Sequence, residues 1–191
     1  VRSYTVYKLL HSTKEEHDGA VLCTNSRHCM AFSTAEEAQD CPVRAACRET
    51  AGQVMCCGGE VCQTFFFSMC GGYTADSAHV FASSRAYLVP VCSPEGAGLQ
   101  GFETKAEFTK QALAKALREK GYTVADEAAE VSLARDAQGY VLSFSFGELT
   151  LGGTAARLAL GLRSSCFSME QQGQTLLFTV HGYGHGVGLS Q

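Results

Sequence analysis

The stretch Thr175-Leu176-Leu177-Phe178-Thr179-Val180-His181-Gly182-Tyr183-Gly184-His185-Gly186-Val187-Gly188-Leu189-Ser190-Gln191 decides how the chain is read. Its first six residues are β-prone and predict a strand. The run that follows alternates four glycines with two histidines and a tyrosine. Glycine at this density argues against a helix, which weakens any reading of His181 and His185 as a zinc pair on one helical face. Core packing and a generic turn explain the pattern poorly. Close approach of backbone to a substrate explains it better, with a satisfied structural imidazole as the alternative for either histidine.

Working outward, 131–135 and 140–146 also read as strands, with turns at Ala137-Gln138-Gly139 and Gln171-Gln172-Gly173. A Thr104/Glu107 capping box, apolar residues at 106, 108, 112, 113, 116 and 117 and Gly121 as cap predict a helix over 104–121. A shorter helix fits 153–162. Nearer the start, Gly58-Gly59 between β-prone runs signals a hairpin. The spacing over 1–10 suits the last turns of a helix that begins further upstream. Ser33-Thr34-Ala35-Glu36-Glu37 and Asp40-Cys41-Pro42 mark two more helix starts. The expectation is an α+β fold, a single mixed domain over residues 1–191 in which hairpins and antiparallel strands mix with several helices.

Composition narrows the function. At 191 residues with 46% hydrophobic and 18% charged, the chain can bury a core and is not a disordered tail. A net charge of -4 leaves no basic stripe, so nucleic acid is not an expected partner. The apolar runs at 64–70 and 87–92 are too short to span a bilayer, and no membrane contact is expected of this chain.

Eight of the ten cysteines fall between Cys23 and Cys70, at spacings unlike a regular disulfide framework. Among them His17, Cys23 and Cys29 form an H-x5-C-x5-C loop that also holds His28. Two thiolates and an imidazole suit zinc, and the loop is short enough to wrap one ion. A Cys23–Cys29 disulfide, or two thiols with His17 solvated, is the alternative. Three ligands plus water would make an open site; recruiting His28 would close it. A third candidate is Arg157 with Leu162-Arg163-Ser164, where an arginine could grip a carboxylate bidentately, although surface ion pairing is the ordinary role of a single Arg.

Taken together the chain resembles the SpoIID/LytB family. The matching stretches are Val1-Arg2-Ser3-Tyr4, Ala51-Gly52-Gln53-Val54-Met55, Phe67-Ser68-Met69-Cys70-Gly71-Gly72-Tyr73-Thr74, Tyr87-Leu88 with Val91, Leu160-Gly161-Leu162-Arg163-Ser164, and Gly182 through Gln191, in family order along the whole chain. The resemblance implies a peptidoglycan lytic transglycosylase of sporulation, acting on glycan strands stripped of stem peptides and leaving 1,6-anhydro ends. It implies a catalytic Glu upstream of Val1, so that no catalytic residue lies in the chain and both ends are cut inside motifs, with the C-terminal helix missing. It further implies substrate binding by Ser68, Cys70, Gly71, Gly72, Thr74, Arg163, His181, His185 and Gln191, and a Zn2+ ion on His17, Cys23 and Cys29. Expected partners are peptidoglycan glycan strands, a cell-wall amidase and other sporulation proteins, outside the cytoplasm between mother cell and forespore. The alternative is a non-catalytic wall-binding or amidase-enhancer module; a zinc peptidase using His181 and His185 ranks behind both. Asp76 is the nearest carboxylate in sequence to the Gly-Gly motif.

Overall fold

Arg2 and Ser3, inside the first matching stretch, explain how the N-terminal residues hold together. In the computed structural model, which describes residues 1–12, 17, 19–25, 28–29, 42–81 and 83–191, α1 (Arg2–His11) is followed by α2 (Pro42–Glu49), with Pro42 at its first turn. The Arg2 guanidinium donates to the carbonyls of Cys47 (2.7 Å), Gln53 (3.3 Å) and Thr50, where the end of α2 leaves carbonyls without helical partners. Ser3, buried, accepts the Met55 N–H at 2.9 Å. The first two stretches therefore clamp each other. The helix start expected at Ser33-Thr34-Ala35-Glu36-Glu37, like Asp40 and Cys41, lies outside the described residues.

After α2 comes the predicted hairpin, β1 (Cys56–Cys57) and β2 (Glu60–Val61), turning on Gly58 and Gly59 at φ +60° and +87°. Both glycines occupy the left-handed region that this two-residue turn requires. The described residues divide into two compact units, Val1–Thr64 and Phe65–Gln191.

The second unit opens with short elements: β3 (Phe66–Phe67), β4 (Gly72–Tyr73), α3 (Ser77–Val80) and β5 (Cys92–Ser93). It continues with β6 (Glu103–Thr109), α4 (Lys110–Glu119), β7 (Val131–Arg135), β8 (Val141–Phe146), β9 (Leu149–Gly152), α5 (Gly153–Ala159), β10 (Phe167–Gln172), β11 (Thr175–His181) and β12 (Leu189–Ser190). Two three-stranded antiparallel sheets, β10-β11-β6 and β7-β8-β9, share one apolar core with α4 and α5. Phe144, Phe146, Phe167, Phe178, Leu113, Leu117 and Leu176 are all but sealed from solvent, each worth roughly 1.5–3 kcal/mol over exposure.

The helix expected over 104–121 is corrected. Glu103-Thr104-Lys105-Ala106-Glu107-Phe108-Thr109 has period-two alternation, and β6 lies antiparallel to β11 from Thr109↔Thr175 to Glu103↔His181. The cap is Thr109, whose Oγ1 accepts the Ala112 N–H at 3.2 Å, not Thr104. The periodic residues 112, 113, 116 and 117 belong to the helix, while 106 and 108 belong to the strand. The strands expected at 131–135, 140–146 and 175–180 are present within a residue, and the short helix at 153–162 ends at Ala159.

Candidate functional site

The glycine-rich C-terminal run wraps around residues 65–75. Met69 and Tyr183 exchange both backbone hydrogen bonds, at 3.0 and 2.7 Å. Further on, Gly186 accepts the Ala75 N–H at 2.7 Å, and β12 lies parallel to β3 with Leu189↔Phe66 and Ser190↔Phe67. The four glycines have φ from +77° to +117°. A Cβ at Gly182 would lie 2.5 Å from the Met69 carbonyl oxygen, at Gly184 2.8 Å from Phe67 Cβ, and at Gly186 2.6 Å from the Tyr140 hydroxyl; at Gly188 it would meet the Phe65 carbonyl. The expectation that these glycines serve close approach to a substrate is therefore corrected. They serve close approach to the protein's own backbone, and the two glycine-dense segments zip into one seam rather than facing each other across a cleft.

Other motifs dock in pairs by the same logic. Thr74 Oγ1 accepts the Val91 N–H (2.9 Å) and donates to the Val89 carbonyl (3.3 Å), joining the Gly-Gly motif to the 87–91 stretch. The Gly184 N–H donates to the Arg163 carbonyl at 2.9 Å, joining the C-terminal run to the Leu-Arg-Ser turn. Arg157 braces that turn from inside, its Nε donating to the Leu162 carbonyl at 3.3 Å.

The expected binding residues separate into two groups. Cys70 and Thr74 are buried and face inward. The Cys70 N–H donates to Ser190 Oγ at 3.1 Å, and burial pushes its thiol pKa up. Neither side chain reaches solvent. Gly71 is packed against Cys166 Sγ and His181 Cβ, and Gly72, at φ +108°, lies opposite Ser93. His185 is half-buried with the rings of Phe67 and Phe81 at 5.6 Å and Phe65 at 6.2 Å. Its Nδ1 accepts the Val187 N–H at 3.1 Å, and burial, helped by the Arg157 charge, holds its pKa below the ordinary histidine range. Its ring is thus tied into the fold through Nδ1.

The remaining side chains are exposed or half-buried on the segments that the seam joins. Ser68 is exposed beside Gly184. The Arg163 guanidinium lies 4.3 Å from the centre of the Tyr183 ring and packs on Gly101. His181 stands next to Gly71, with Nε2 3.4 Å from Glu103 and its ring 5.5 Å from Phe102. Gln191 is exposed, its N–H donating to the Phe67 carbonyl at 3.1 Å. These side chains offer a hydroxyl, an imidazole and a guanidinium held on an aromatic face, groups that can bind hydroxyls, amides and carboxylates. Tyr183, Glu103 and Glu95 were missed from sequence. Tyr183 stood in plain view inside the glycine run, whereas Glu103 meets His181 only through strand register. Glu95 sits next to Gly72's partner Ser93, whose hydroxyl donates to it at 2.6 Å and pulls its pKa below the usual carboxylate range. Asp76 caps α3, accepting the Ala78 N–H at 2.8 Å.

In the first unit, Asn25 accepts the N–H groups of His28 (3.0 Å) and Cys29 (2.9 Å), a turn that brings Cys29 back towards Cys23. His17, Cys23, His28 and Cys29 each place a ligand atom within 4.8 Å of all the others, so this cluster could hold a metal ion. His17 Nε2 is 3.3 Å from Cys29 Sγ, and His28 Nδ1 is 3.4 Å from Cys23 Sγ. Its hydrogen bond with His28, supported by the Asn25 backbone, lowers the Cys23 pKa to about 6. All three residues expected to bind metal are present. His181 and His185 gather no third ligand among the described residues, which removes support for a peptidase centre there.

No helix among the described residues is long and apolar enough to cross a membrane. No family model matches the chain. It is similar to stage II sporulation protein D of Bacillus subtilis (strain 168), 27% identical over 161 residues that make up 84% of this chain and 46% of that protein. It is also similar to stage II sporulation protein D of Bacillus amyloliquefaciens, 28% identical over 143 residues, 74% of this chain and 41% of that protein. The chain thus spans less than half the length of these curated relatives. This similarity, extending over most of the chain, supports its membership of the stage II sporulation protein D family.

Proposed function

We propose that this chain is the glycan-holding part of a sporulation-type peptidoglycan lytic transglycosylase, acting outside the cytoplasm between mother cell and forespore on strands stripped of stem peptides. The observation that carries the reading is that Ser68, Arg163, His181 and Tyr183, all on the segments joined by the motif seam, keep polar or aromatic groups open to solvent, with Arg163 stacked on Tyr183. A sugar ring presents hydroxyls and N-acetyl groups at its edge and C–H bonds on its face. Ser68 and His181 would bond the former, and the Tyr183 ring would take the latter. Arg163, already fixed on Tyr183, would bind a lactyl carboxylate with two parallel bonds.

The reaction demands one carboxylic acid. It protonates the glycosidic oxygen, and its carboxylate then takes the proton from the C6 hydroxyl as that oxygen closes on C1, leaving a 1,6-anhydro end. None of these residues is assigned this role. His17, Cys23 and Cys29 would hold Zn2+, which when bound supplies cross-linking of the loop. A cell-wall amidase and other sporulation proteins would be partners.

A binding-only role as a wall-glycan or amidase-enhancer module has one observation in its favour: the carboxylates beside these segments are engaged, Glu95 by Ser93 and Glu103 by His181. One experiment separates the two. The full-length gene product is incubated with denuded glycan strands and the products are read by mass spectrometry. Release of 1,6-anhydromuramic ends is expected, reduced at least about tenfold by Arg163→Ala or Ser68→Ala, the loss of one charge-assisted contact, with the unfolding midpoint unchanged. Binding without release would select the module reading, and unchanged release by both variants would refute these binding residues.

A further inference from the structure

Between the end of α4 and the turn from β8 to β9 lies a hollow of about 690 Å³, the size of a ligand-binding cleft. Tyr122, Ala129, Phe146 and Leu149 line it with carbon, and Asp126 and Glu148 are its only charged lining residues. The loop that forms one wall is held from two sides. Lys110 Nζ donates to the Ala128 carbonyl at 3.0 Å and Arg118 to the Val124 carbonyl at 2.7 Å, while the Gly147 N–H of the turn donates to the Glu130 carbonyl at 2.9 Å. A wall pinned at three points loses little freedom when something binds. Both lining carboxylates are exposed, and neither forms an ion pair among the described residues. The cations of α4 are engaged elsewhere, Lys115 with Glu119, Arg118 with Glu127 and Lys110 with the Ala128 carbonyl. Asp126 accepts the Ala128 N–H through Oδ1 at 2.7 Å, which leaves Oδ2 open to a donor from outside the chain.

We propose that this hollow is a docking site for a partner protein, entered by an arginine or lysine side chain with an apolar residue on either side of it. Charge selects the head group: a wall with two carboxylates and no cation attracts a guanidinium or an ammonium and repels an acid. Volume and lining select the rest. A lone alkyl cation would leave much of the 690 Å³ unfilled and the carbon of Tyr122, Phe146 and Leu149 still facing water, whereas flanking apolar side chains cover it. The Tyr122 ring also offers a face on which a guanidinium can stack. The proposal is independent of the glycan reading and of the metal reading.

The test follows the backbone amide resonances of the deuterated full-length gene product during titration with a capped tripeptide of arginine between two leucines. Saturable shifts are expected at Tyr122, Asp126, Gly147 and Glu148, and none with the tripeptide in which glutamate replaces arginine. The double variant Asp126→Asn with Glu148→Gln, both at exposed positions, should keep its unfolding midpoint and bind the arginine peptide about fivefold more weakly, the loss of two exposed ion pairs. Unchanged affinity in that variant, equal binding of the glutamate peptide, or no shifts around the hollow would overturn the proposal. Butylguanidinium binding as tightly as the arginine peptide would overturn it too, because the flanking apolar residues would then contribute nothing and the hollow would be a site for a small free cation.

Discussion

Replacing Gly182 by alanine separates the two explanations of the glycine run. Gly182 has φ +77°, and an added Cβ would lie 2.5 Å from the Met69 carbonyl oxygen, 2.9 Å from Cys70 C and 3.0 Å from Gly71 N. The left-handed conformation alone costs alanine roughly 1–2 kcal/mol. Relieving the contact requires the two backbones to part at the point where Met69 and Tyr183 exchange their two hydrogen bonds. Losing that pair adds about 2 kcal/mol, at about 1 kcal/mol net for each bond, for a total of about 3–4 kcal/mol. Gly173 is the control: its φ is +62°, but nothing lies within 4 Å of an added Cβ, so only the conformational cost applies. At ~2–4 °C per kcal/mol for a chain of this size, thermal unfolding followed by circular dichroism should place Gly182→Ala about 10 °C below wild type and Gly173→Ala about 4 °C below. Equal losses would refute the packing account. So would a Gly182→Ala protein as stable as the control that no longer bound glycan strands, since that result would return the glycine to the substrate.

Burial holds the pKa of His185 below its unfolded value, so the stability it contributes is greatest above that unfolded value and declines as pH falls through the folded one. Urea midpoints between pH 7.5 and pH 5, both bracketing the ordinary ~6.5 of histidine, should fall with pH, and His185→Gln should flatten the slope; an identical slope in the variant would show that another group is responsible. Thr74→Val keeps the shape of a buried side chain but removes its bonds to Val91 and Val89, leaving the Val91 N–H without that part-buried acceptor. A loss of about 1–3 kcal/mol in urea unfolding is expected, and a neutral result would mean that the 87–91 stretch is not held there. Cys23, with its pKa near 6, is largely thiolate at neutral pH. Iodoacetamide at pH 7 should therefore modify it in the metal-free chain before the exposed Cys47, Cys56, Cys57 and Cys92, as read by peptide mass spectrometry, and zinc should protect it; equal labelling would contradict the lowered pKa.

How much of this was legible in the sequence depended on the range of the interaction. The Gly58-Gly59 hairpin, the strands at 131–135 and 175–181 and the Asn25-to-Cys29 loop are local: turn chemistry and side-chain alternation a few residues long specify them. The His17, Cys23 and Cys29 cluster belongs to the same class, because thirteen residues of chain can bring the three together without help from elsewhere. The boundary between β6 and α4 was misread because Ala106 and Phe108 fit a helical stripe as well as a strand face, and only pairing with β11 tells them apart.

The seam is the opposite case. Sequence alone established that Gly182, Gly184, Gly186 and Gly188 need something close by, because glycine at that density has no propensity-based reason to be there. Only the tertiary structure decided what that neighbour is: the backbone of 65–71 and the ring of Tyr140, brought up from positions dozens of residues away. The same folding turned Cys70 and Thr74 inward and set Arg163 on Tyr183. Which face of a strand meets solvent is set by what pairs and packs against it, and a linear motif carries no record of that partner.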